Sequence, residues 1–100
     1  MTCYSILAVT PTATDWIPSY VGAAGALVAK HGGTYLARTA SHERLEGDGE
    51  DVALRVVIRW PSREAALAFM SDPDYAPQLE ARTAGSVSHH VLIEGKDDLA

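Results

Sequence analysis

The chain has 100 residues, enough for one domain with a single core over 1–100, and the 47% apolar share with one cysteine excludes a disordered or disulfide-built chain. A formal net charge of −5 argues against a nucleic-acid partner, which needs clustered Lys and Arg to displace counterions from phosphates. The lone Cys3 fits a reducing cytoplasm; no basic segment precedes the first apolar run, so no signal peptide is expected, and the longest uncharged apolar-rich run, 20–29, is about half of a membrane span.

The run CYSILAVT, 3–10, is apolar and β-branched and ends before Pro11, so it reads as a strand. A helix is predicted next, with Ile17, Tyr20, Val21, Ala24, Leu27, Val28 and His31 at helical spacing. Thr14 or Asp15 is its expected cap, Pro18 sits in its tolerated first turn, and Gly32 and Gly33 end it. The small residues of 22–26 would let it lie close against a sheet, at some loss of helix propensity.

Two strands, 34–47 and 51–60, flank the turn GDGE and are expected to form a hairpin. In the second, Val52, Leu54, Val56, Ile58 and Trp60 alternate with Ala53, Arg55, Val57 and Arg59. Ser62 caps an Ala-rich helix that packs Ala65, Ala66, Phe69 and Met70 before Pro73 stops it. A short helical segment, 75–85, leads to a last strand over 86–95. The core thus runs from about 3 to 95, and 96–100 is a solvated tail.

This order, βαββαβ, predicts an α+β fold of ferredoxin-like type: a four-stranded antiparallel sheet with the helices on one face. The first strand is apolar on both sides, and the last carries Val87, Val91 and Ile93 on one side and Leu92 on the other. Helices cover only one of those faces. A second copy of the sheet is the expected cover, so a homodimer is predicted.

The motifs HGGTYLAR, EG at Glu46 and Gly47, VVIRWPS ending at Ser62, AA at Ala65 and Ala66, SDPDY ending at Tyr75, and Arg82 together resemble domain-of-unknown-function family 1330, over roughly residues 4–95. The resemblance implies a dimeric α/β barrel, shared by small cofactor-free monooxygenases, muconolactone-isomerase-like enzymes and stress-response barrel proteins. This chain departs from the family pattern in four places. Thr34 stands where Arg is common, Arg59 where an acid is common, Phe69 and Met70 replace an aromatic pair, and Asp72 replaces a serine.

His31, at a helix C-terminus, is explained by capping and by the helix dipole; an acid or base role is the competing reading. Alternation places Arg55 and Arg59 opposite the inward apolar set, facing the interior of a dimer. These two, with Arg38 of the preceding strand, need Glu46, Glu94 or an anionic ligand as partners, since an unpaired buried charge is costly. Arg38 and Arg59 are therefore candidate ligand-binding residues.

His89 and His90 point to opposite faces, which argues against a shared metal, and His90 is a second acid or base candidate. Tyr75 is either packed against the sheet or lends a phenol to a pocket, with Arg82 two turns along the same helical face. No phosphate loop, dinucleotide fingerprint or CxxC occurs, so no cofactor and no metal is expected. The functional expectation is a cytoplasmic protein acting without a cofactor on a small organic acid or carbonyl compound. Its alternative is a non-catalytic small-molecule-binding or stress-response module.

Overall fold

Alternation governs the first strand. In the computed structural model, which describes residues 1–100, β1 (Cys3–Pro11) buries Cys3, Ser5, Leu7 and Val9 and leaves Tyr4, Ile6 and Ala8 half-buried on the opposite side. Helix α1 (Ile17–Lys30) turns Ala24, Leu27 and Val28 inward, with Pro18 in its first turn. Its start differs from expectation: neither Thr14 nor Asp15 supplies a side-chain cap, and Trp16 occupies the cap position. The entry is held by a turn from Ile17 N–H to the Thr14 carbonyl (3.2 Å) and by Trp16 Nε1, which donates to the carbonyls of Ala13 (2.7 Å) and Gly85 (3.0 Å). Of the small residues in α1, Ala24 is fully buried, whereas a Cβ on Gly22 or Gly25 would meet open space. Those two glycines therefore do not set the helix–sheet distance. At the other end Gly32 takes φ +80°, the left-handed turn that closes the helix.

β2 (Thr34–Thr39) and β3 (Leu54–Trp60) pair antiparallel, but the expected tight hairpin is replaced by a long loop, 40–53. That loop is charged and lacks alternation, and its two larger apolar residues are isolated, Leu45 at 86% exposed and Val52 only half-buried, so no face exists for it to bury as a strand. Ser62 Oγ accepts the Ala65 N–H (3.1 Å) at the start of α2 (Arg63–Met70). α3 (Ala76–Ala84) follows, then β4 (Ser86–Glu94).

The strands form one antiparallel sheet in the order β2-β3-β1-β4, the ferredoxin-like arrangement of an α+β fold. Leu7, Val9, Val56, Ile58 and Trp60 meet Ala24, Leu27, Val28, Ala66, Phe69 and Tyr75 in the core between sheet and helices. The other face carries Arg55, Val57 and Arg59 of β3 and Val87, His89, Val91 and Ile93 of β4 without any covering element. No helix is long and apolar enough to cross a membrane.

Candidate functional site

A bulge in β2 creates the site. Tyr35 lies opposite Ile58 and Ala37 opposite Val57, so Leu36 is one residue too many for its partner strand. After it the side chains change parity, and Arg38 pairs with the buried Val56. Tyr35 and Arg38, three apart, thereby share the helix-facing side, with the Arg38 guanidinium 4.2 Å from the Tyr35 ring centroid.

Between that side of the sheet and α1 and α3 lies a cavity of about 90 Å³. Leu7, Val9, Val56, Ile58, Trp16 and Phe69 supply apolar wall, and Tyr20, Tyr35, Arg38, Tyr75, Arg82 and His90 supply the polar groups. No carboxylate lines it. The volume is below the roughly 300–1,000 Å³ of drug-sized ligand sites, which suits a compact molecule.

Each polar group has a physical setting. Tyr20 and Tyr75 hydroxyls are 2.7 Å apart, and a single bond between them leaves one phenolic proton to donate elsewhere. Burial, reinforced by Tyr75, pushes the Tyr20 phenol far above its ordinary value, so it stays protonated. Burial likewise raises Tyr35, against the opposing pull of Arg38. His90 Nε2 lies 2.8 Å from Ser5 Oγ, which also accepts the indole N–H of Trp60 at 2.8 Å. The ring is thus oriented through Nε2, and Nδ1 is left without a protein partner. Burial first, and then the Arg82 charge, lower the His90 pKa below 6.5, so the imidazole is neutral at pH 7. Arg82 is 3% exposed, and its Nε and Nη1 have no hydrogen-bond partner.

The other sequence candidates lie elsewhere. His31 Nε2 and Lys30 Nζ both contact Asp72 Oδ2, at 2.7 and 2.9 Å, while Asp74 N–H donates to Oδ1 at 2.9 Å. These contacts hold Asp72 well below the usual carboxylate range and tie the end of α1 to the α2–α3 corner. Arg59 sits on the open face, exposed, opposite Tyr4 and Thr34, and neither it nor Arg55 is paired with Glu46 or Glu94. Arg38, Tyr75 and His90 line the cavity; His31 and Arg59 do not. His89 is on the open face, and no cluster of three or more His, Cys, Asp or Glu is placed to hold a metal ion.

Tyr20, Tyr35 and Ser5 are not among the site residues expected from the sequence, and Arg82 stands out there only through the family resemblance and its spacing from Tyr75. Ser5 carried a legible signal, a hydroxyl at an inward position of an apolar strand between Cys3 and Leu7. Arg82 did not, because its isolation depends on every neighbour the fold brings to it.

Solved structures with the same fold include the protein of unknown function RPA0582 from Rhodopseudomonas palustris, at 17% identity and a TM-score of 0.79 over 96% of this chain and 83% of that one. A dimeric ferredoxin-like protein of unknown function from Jannaschia sp. CCS1 matches at 13% identity and a TM-score of 0.76, over 94% and 99% of the two chains. SnoaB from Streptomyces nogalater, a cofactor-independent oxygenase, matches at 23% identity and a TM-score of 0.59, over 98% and 94%. At these identities the likeness shows the fold alone. No curated protein matches the sequence. The model of the domain of unknown function DUF1330 matches residues 2–96, and the chain belongs to that family.

Proposed function

We propose that this protein is a homodimer that takes a small organic acid or carbonyl compound into the cavity between helices and sheet and acts on it without a cofactor. The observation that carries this reading is the placement of a neutral, hydrogen-bond-oriented imidazole, His90, beside phenols and guanidinium groups in an apolar cavity. In the tautomer whose Nε2–H donates to Ser5 Oγ, Nδ1 is the free base, able to take a proton from carbon next to a carbonyl. The resulting enolate is the common first intermediate of a cofactor-free isomerisation and of oxygenation in which the substrate itself is the reductant. Phenols held protonated, Tyr20 and Tyr35, and the cations Arg38 and Arg82 suit the developing negative oxygen. The cofactor-independent chemistry of SnoaB and the dimeric state of the Jannaschia protein, each known for that protein, agree with the reading.

The test is deuterium exchange in D₂O, followed by proton NMR over a panel of small 2-oxo and 3-oxo acids. Wild-type protein is expected to exchange the acidic C–H, and His90→Gln to slow exchange by roughly 100-fold or more. Because the base must be unprotonated, exchange should hold steady above pH 6.5 and decline only as pH falls through the lowered pKa of His90. Equal exchange by wild type and His90→Gln would remove His90 from the chemistry. A panel member that binds without any exchange would favour the non-catalytic binding module, a reading supported by the structural role of His31, whose Nε2 is hydrogen-bonded to Asp72 Oδ2 away from the cavity.

A further inference from the structure

We propose that Arg82 is the anchor for a carboxylate, so that the cavity selects compact apolar carboxylic acids over their neutral counterparts. This narrows the ligand class of the cavity just described and rests on that cavity being a binding site.

Three observations converge on Arg82. It is a cavity-lining side chain only 3% exposed, and its Nε and Nη1 make no hydrogen bond. None of the residues lining the cavity is acidic, and Arg82 is in no ion pair. Its nearest compensation is the Tyr20 ring, 5.8 Å from Cζ, which offers a π face but no lone pair for the N–H groups. A guanidinium does not escape this setting by losing its proton, and a buried charge without a partner is strongly unfavourable. A planar carboxylate is the group whose two oxygens match the guanidinium fork.

The surroundings define the rest of the ligand. Arg38 brings a second cation from the sheet side of the cavity, across from Arg82 on α3, and it is itself exposed, so it stands at the mouth while Arg82 stands inside. Val21, 43% exposed, lines the same mouth. Leu7, Val9, Val56 and Phe69 receive an apolar frame, and about 90 Å³ limits that frame to a few carbon atoms. The free phenolic proton of the Tyr20–Tyr75 pair is available to a carboxylate oxygen that does not face the guanidinium.

The experiment titrates the full-length protein with isobutyrate and with isobutyramide, its neutral isostere, following backbone amides by ¹H–¹⁵N NMR. Isobutyrate is expected to shift the amides of Tyr20, Phe69 and Arg82 and to bind about tenfold or more tighter than isobutyramide. Arg82→Gln should erase that preference by weakening isobutyrate more than isobutyramide, whereas Arg38→Gln should retain a preference for the acid. Equal binding of the two probes by wild type overturns the role of Arg82 but leaves the cavity a binding site. A preference that follows Arg38 instead also overturns it. Failure of both probes to perturb cavity amides at millimolar concentration overturns the anchor and the cavity reading together. The wild-type comparison stands even if Arg82→Gln does not fold, and isobutyrate should raise the melting temperature of wild type more than isobutyramide does.

Discussion

Ser5 shows how one small polar side chain organises a wall of the cavity. Trp60 is 0% exposed, and its indole N–H, a donor with no other partner, is satisfied only by Ser5 Oγ at 2.8 Å. The same oxygen orients His90 from the other side at 2.8 Å. Ser5→Ala therefore removes more than a hydroxyl: it leaves a buried indole N–H unpaired and frees the imidazole. The expected loss is about 1–3 kcal/mol of stability, the penalty for a buried donor without an acceptor, read as a lower urea midpoint at unchanged slope. An unaltered midpoint would show that the Trp60–Ser5 bond contributes nothing net. His90 and Arg38 illustrate a second point at this scale, that which face a residue occupies decides what it can do. His90 faces the cavity and its neighbour His89 does not, purely by strand parity.

Among the elements, α1 combines two kinds of glycine that the sequence does not distinguish. Gly33, just past its end, has no room for a side chain: a Cβ there would lie 2.7 Å from Trp60 Cζ3 and 2.8 Å from Val28 Cγ1, both in the core. Gly22, on the outer face, has nothing within 4 Å. Gly33→Ala should destabilise by about 1–3 kcal/mol through overpacking. Gly22→Ala should stabilise by up to about 1 kcal/mol through helix propensity. Thermal melts of the two variants that move in the same direction would contradict this division. The contrast marks the limit of reading elements from sequence. Periodicity is a local property, so the alternation of β3 and the Ser62 cap of α2 were legible. The bulge at Leu36 was not, since an extra residue is defined only against the partner strand, and it is this bulge that turns Arg38 toward the cavity. The expected strands 34–47 and 51–60 overrun into the loop on either side of the GDGE turn, since the charged residues of 40–47 lie next to a real strand but have no apolar face to bury. In the site, the seven-residue step from Tyr75 to Arg82 was legible as one helical face, but the absence of any acid near Arg82 required the assembled fold.

At the scale of the whole molecule the unhelixed face of the sheet sets the expected assembly. Val87, Val91 and Ile93 are 49, 57 and 48% exposed on one side of β4, beside half-buried Tyr4, Ile6, Ala8 and Val57. A continuous apolar sheet surface of this kind favours association, and an isologous pairing of two such sheets buries the patch of each subunit against the same patch of the other. Arg55 and Arg59 would then stand within or around the interface, where partner groups must replace the water they now contact. Val91 lies opposite Ile6, near the middle of the patch, so a charge introduced there cannot reach water without separating the subunits. Wild-type protein is expected to sediment at twice the chain mass of 10.7 kDa at micromolar concentration, and Val91→Arg at 10.7 kDa with its far-UV circular dichroism retained. Wild type sedimenting at the chain mass would rule out the homodimer. A Val91→Arg variant that remains dimeric would instead place the interface elsewhere, because an unpaired guanidinium in the centre of a stable interface of roughly 800 Å² per partner is too unfavourable for the contact to survive.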